Sequence, residues 1–143
     1  DYTWGRDHTF SDGNTELKHV DFTSPFDDSF RASILEAAKV SDCLIRGGVY
    51  GVTQGPRLET ASEIDRLERD GCTMVGMTGM PEAGLAREIG MKYAICAMAV
   101  NYAAGRGNKG ASIHDQFKQY IPQAVQQLLK LLSCLIPNFY KNY

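Results

Sequence analysis

With 143 residues, 43% hydrophobic and 22% charged side chains, the chain has the composition of a soluble globular protein with one sizeable core, and not of a disordered one. Fifteen Lys and Arg against seventeen Asp and Glu leave a net charge of −2, which argues against a partner held by bulk positive charge, so no nucleic acid is expected. No apolar run reaches the roughly 18–20 residues of a membrane span, so no membrane partner is expected either.

The chain opens on Asp1-Tyr2-Thr3-Trp4, without an initial Met or a signal-peptide pattern and in sequence typical of a mid-protein loop, which predicts a piece of a longer chain. Residues 1–26 are rich in Asp, Gly, Thr, Ser and aromatics with no sustained period, and so are expected to be irregular, as a lid, a partner surface or a disordered stretch. Residues 27–143 are the α/β portion. Between Asp28 and Lys39, Phe30, Ile34, Leu35 and Ala38 fall at helical spacing. Gly47-Gly48 breaks that pattern, and 49–53 reads as a short strand leading into Gly55-Pro56. Thr60 and Glu63 form a capping box opening a helix to about Asp70, which Gly71 ends as a left-handed cap. Residues 73–77 form a buried strand running out at Thr78-Gly79. Pro81 and Glu82 suit the first turn of a helix that Gly90 ends, and Tyr93 to Val100 is another apolar strand. Ser112 and Asp115 cap a last helix whose apolar face includes Phe117, Leu128, Leu131, Leu132 and Leu135, with Pro122 expected to kink or restart it. Alternating strands and helices predict an α/β layer with a largely buried sheet.

Four cysteines, Cys43, Cys72, Cys96 and Cys134, show no CxxC spacing, so no metal site is expected. Cys72 and Cys96 lie in or beside apolar segments and read as reduced, buried thiols, for which the cytoplasm is the simplest compartment.

Ligands of open α/β sheets lie at the carboxyl ends of strands. Three such exits carry unusual residues: 54–60, 77–82 and 100–105. Taken singly, each has a bland alternative. Thr78 reads equally as a helix N-cap or as an anion ligand, and Glu59 could serve its helix dipole. Arg57 is expected to pair with an acid on a nearby turn, although its fork would also match phosphate. The glycines at 47, 48 and 51 lack the GxGxxG pattern and read as turn glycines.

Together the exits resemble one family. The stretches Gly51-Val52-Thr53-Gln54-Gly55-Pro56-Arg57-Leu58-Glu59-Thr60 and Val75-Gly76-Met77-Thr78-Gly79-Met80-Pro81-Glu82 are similar to the C-terminal half of trimeric purine nucleoside phosphorylases of the methylthioadenosine phosphorylase group, and most of all to its bacterial methylthioinosine branch. The likeness runs from about Asp1 to about Tyr120. It implies a three-layer α/β/α fold, here as its C-terminal half only, and phosphorolysis of a purine nucleoside with inorganic phosphate as co-substrate, no cofactor and a homotrimer. By the same resemblance Met77 would pack beneath the ribose, Thr78 would bind phosphate, and Asn101, as the catalytic residue, would meet the base at N7 and its 6-substituent. Tyr102 and Ala103 would continue that wall, Glu59 would face N1, Ile113 would line the 5′ end, and His19 would reach a neighbouring subunit's site. Phe117 could join Ile113, and His114 could instead meet a 5′-hydroxyl. His19 and His114 also read as plain surface residues.

The base preference follows from chemistry. Asn101 can donate to N7 or O6 as negative charge builds on the leaving purine. A Glu59 carboxylate accepts the N1 hydrogen of a 6-oxopurine, whereas adenine presents it with a lone pair. A 6-oxopurine base is therefore expected, and the resemblance implies S-methyl-5′-thioinosine as substrate, with methylthioadenosine, inosine or guanosine as alternatives. The family's glycine-rich phosphate loop and Arg-His pair are absent from the sequence, which leaves a non-catalytic binding or oligomerisation module as the other alternative.

Overall fold

Helix and strand alternate as α1 (Asp28–Val40), β1 (Tyr50–Val52), α2 (Ala61–Arg69), β2 (Met74–Gly76), α3 (Glu82–Glu88) and α4 (Ile113–Lys141) in the computed structural model, which describes residues 1–107 and 112–141, with side chains as far as Pro137. Local chemistry sets the ends. Asp27 caps α1 by accepting the Phe30 amide at 2.7 Å. Thr60 and Glu63 close the expected capping box on α2, and Gly71 and Gly90, at φ +94° and +71°, follow α2 and α3 in the left-handed region. The Ser112 hydroxyl accepts the Asp115 amide at 3.1 Å at the start of α4.

β1 and β2 are parallel, with Tyr50 opposite Met74, Gly51 opposite Val75 and Val52 opposite Gly76. A parallel pair needs a crossover, and α2 supplies it. Tyr2 joins the exit of β1 through a parallel bridge to Thr53, its amide donating to the Val52 carbonyl at 2.8 Å. The core has two parts. Ile34, Ala37 and Ala38 of α1 pack on Leu131 and Leu135 of α4. Val52, Met80 and Ala83 form the second part beneath the strand exits, flanked by Phe22, Phe26, Tyr50 and Tyr93.

Four expectations need correction. The sheet is not largely buried, for Met74 is 37% exposed. Residues 93–100 form no strand: extended backbone needs a neighbour to pair with, and among the described residues its fastening is a bond from the Asp27 amide to the Tyr93 carbonyl. Cys96, on that uncovered run, is exposed and not buried, while Cys72 is half-buried and all four cysteines are free thiols. Pro122 does not restart the helix but lies inside a continuous α4, where packing of the following turns on α1 offsets the roughly 3 kcal/mol a helix-interior proline costs.

The accessible surface is 10,296 Å², against about 7,300 Å² expected of a compact monomer of this mass. Leu44 and Trp4 are 83% and 74% exposed.

Candidate functional site

At the first exit the chain turns through Gly55 at φ +66°, and a Cβ there would stand 2.4 Å from the Met77 sulfur, so only glycine lets this loop lie against the second exit. The Thr53 hydroxyl donates to the half-buried Glu59 carboxylate at 2.5 Å and lies 3.3 Å from the Gly76 carbonyl. Arg57 forks onto Glu63 at 2.7 and 2.9 Å, the structural role expected of it. That guanidinium, with the Thr60 amide, pulls the Glu63 carboxyl down to about 2.

At the second exit Met77 is half-buried and Thr78 exposed. The Thr78 hydroxyl lies 3.3 Å from the Tyr50 phenol. It does not cap α3, whose N-cap is Pro81, so one of the two readings of Thr78 falls away. Tyr50 reaches it across β2 because residue 76 is glycine: a Cβ there would stand 2.0 Å from the phenol oxygen.

The third exit is a loop held at both sides. Arg106 donates to Asp65 at 2.9 Å and Glu68 at 2.5 Å on α2, while Gly105 lies so close to α2 that a Cβ would meet that of Ala61 at 2.9 Å. On the other side the Tyr102 amide donates to the Gln116 side chain at 2.8 Å, one turn into α4. Asn101, half-buried, donates its amide to the Tyr102 carbonyl at 2.8 Å. The loop thus docks on the helix that begins two residues after Glu59.

A match to the phosphorylase superfamily extends over residues 1–137. The chain belongs to that superfamily. Among its relatives, the probable S-methyl-5′-thioinosine phosphorylase of Xylella fastidiosa is 56% identical over 135 residues, covering 93% of this chain and 54% of the relative. That of Xanthomonas campestris pv. campestris is 56% identical over 110 residues, 76% of this chain and 44% of the relative. The 6-oxopurine nucleoside phosphorylase of Pyrococcus furiosus is 38% identical, covering 96% of this chain and 54% of the relative. The chain spans about half the length of these curated relatives. Methylthioadenosine phosphorylase from Schistosoma mansoni, solved in complex with adenine, shares its fold at a TM-score of 0.85 and 23% identity, over 96% of this chain and 56% of that one.

Within this superfamily member, the first two exits are in direct contact, Gly55 against Met77, and the third is fastened beside the first through α2. Ile113 is half-buried in the first turn of α4, near the Gln116 that holds Tyr102. His19 and His114 are exposed, and no hydrogen bond among the described residues ties either to the exits. Tyr102 is 56% exposed. A cavity of about 530 Å³ lined by Val20, Asp21, Thr23, Ser24 and Arg87 lies elsewhere and contains none of these residues. Among the described residues no group of side chains could hold a metal ion, and no helix is long and apolar enough to cross a membrane. Sequence reasoning missed Thr53, Tyr50, Arg106 and Gln116. Of these, Arg106 alone left a trace: Asp65 and Glu68 lie three apart on one helix face, a pair awaiting a cation.

Proposed function

We infer that this chain carries the base- and sugar-facing part, the C-terminal portion, of a phosphorylase domain that cleaves a 6-oxopurine nucleoside. S-methyl-5′-thioinosine is the first substrate, and the products are hypoxanthine and 5-methylthioribose 1-phosphate. Inorganic phosphate is the co-substrate, no cofactor takes part, and the enzyme is a cytoplasmic homotrimer. The names and similarity of the relatives support the reaction class.

The observation that carries the base preference is the Thr53 hydroxyl donating to Glu59 at 2.5 Å. A carboxylate held by a hydroxyl donor offers acceptors only. The remaining lone pairs of Glu59 take the N1 hydrogen of a 6-oxopurine and face the N1 lone pair of adenine unfavourably. Asn101 supplies a donor to N7 or O6 while the bond between the anomeric carbon and N9 breaks, when the base gains negative charge and the interaction strengthens. Thr78, its hydroxyl 3.3 Å from the Tyr50 phenol, gives its own proton to the phosphate oxygen that attacks the anomeric carbon. Met77 gives the ribose an apolar floor, Tyr102 and Ala103 wall the base, Ile113 lies at the methylthio end, and His19 belongs to the neighbouring subunit's site.

The test is phosphorolysis of methylthioinosine, inosine and methylthioadenosine by the protein and by Glu59→Gln. The wild type is expected to prefer the 6-oxopurines, and Glu59→Gln to lower that preference about tenfold, the worth of one charge-assisted hydrogen bond. A wild type that prefers methylthioadenosine overturns the reading. Purine binding without turnover would leave a binding module in its place.

A further inference from the structure

The irregular N-terminal segment delivers one side chain into the space between the first two exits. Residues 2–6 run along the end of β1: the Tyr2 amide donates to Val52, the Trp4 amide to the Gln54 side chain at 3.1 Å, and Gly5 turns the chain at φ +66°. The half-buried Arg6 then divides its fork. Nη2 donates to the carbonyls of Gln54 at 3.0 Å and Thr53 at 3.4 Å, in the loop leading to Glu59. Nη1 donates to the carbonyl of Met77 at 3.2 Å and to that of Met80, the two residues flanking Thr78 and Gly79. Among the described residues Arg6 has no ion pair, and its protein partners are carbonyl dipoles.

We propose that Arg6 is a positioning residue that locks the Glu59 loop and the Thr78 loop into one unit, so that base and phosphate are presented in a fixed relation. This rests on the functional reading above for the ligands it names. The planar fork is what the task requires: each terminal nitrogen serves a different loop, and a lysine ammonium, a single point charge on a flexible stem, cannot face both. Arg6 stands behind the loops, its hydrogen bonds among the described residues all made to backbone carbonyls.

Backbone amide exchange on the whole chain tests the lock, read in the wild type, Arg6→Met and Arg6→Lys. Exchange at Thr53 and Gln54 and at Thr78, Gly79 and Met80 is expected to quicken together, about tenfold, in both variants, while α1 and α4 stay as protected as before. A change confined to one loop, spread evenly over the chain, or absent overturns the proposal. If Arg6→Met also strips protection from α1 and α4, Arg6→Lys decides alone, and unchanged exchange in it overturns the lock.

A second readout separates positioning from mere support. Titrated with inorganic phosphate, the wild type is expected to shift the Thr78 amide resonance and to pass the shift on to Gln54, and Arg6→Lys to keep the first and lose the second. Transmission that survives in Arg6→Lys overturns the proposal. A wild type in which phosphate shifts nothing counts against the functional reading, and the exchange result still decides the lock.

Discussion

The Thr53 hydroxyl has one proton and two acceptors, the Glu59 carboxylate at 2.5 Å and the Gly76 carbonyl at 3.3 Å. The shorter, charged partner takes it, because hydrogen bonds to ions are roughly twice as strong as neutral ones. Removing that proton in Thr53→Val leaves Glu59 without its internal donor and free to turn. Hypoxanthine binding is expected to weaken about tenfold while adenine binding hardly changes, which calorimetric titration of the two bases checks. Equal losses for both bases would mean that Thr53 only supports the loop. Legibility at this scale followed distance along the chain. The Arg57–Glu63 pair and the capping box lie within six residues and could be read from spacing. Tyr50 finds Thr78 28 residues on, Arg106 finds Asp65 41 residues back, and Arg6 reaches Met80 across 74. Such pairings follow from how strands are laid side by side, which no local pattern encodes.

Among the elements, α2 has the most to lose in acid. The Arg57 guanidinium, then the Thr60 amide, lowers the Glu63 carboxyl from its ordinary 4.5 to about 2. A carboxyl depressed on folding contributes stability that is fully present above about pH 4.5 and lost as pH falls through about 2. The first turn of α2, and Glu59 with it, is therefore expected to fray in that window. A side-chain carboxyl titration by NMR should place Glu63 near 2, and Arg57→Ala should raise it toward the ordinary range; a midpoint near 4.5 in the wild type would refute the pairing. The helices were legible because caps and periodicity are written in consecutive residues. The run from 93 to 100 was not, since its apolar composition marks a strand whereas its conformation depends on a partner. Pro122 misled for the opposite reason: a local penalty was outweighed by contacts with α1, far away in sequence.

At the scale of the molecule, 10,296 Å² of surface exceeds the compact expectation by about 3,000 Å², more than the 1,200–2,000 Å² that a standard interface buries. Leu44, Trp4 and Leu129 are among the large apolar side chains left in water. The chain on its own is expected to self-associate, its mass by light scattering rising with concentration and falling when mild denaturant is added; a monomer at all concentrations would mean that this surface is tolerated. The α/β class was legible from alternation. The smallness of the sheet was not, because sequence shows which segments want to pair and not how many neighbours they have.

The hydrogen bond from the Tyr102 amide to Gln116 gives this last point a mechanical side. The Asn101 loop hangs from the start of α4, whose far end is clasped to α1 through Leu131 and Leu135. Anything that seats against the outer flank of that rod and tilts it would load the Tyr102–Gln116 bond, while Arg106 holds the other side of the loop to α2. A neighbour docking on that helix would therefore bear on the Asn101 loop from outside.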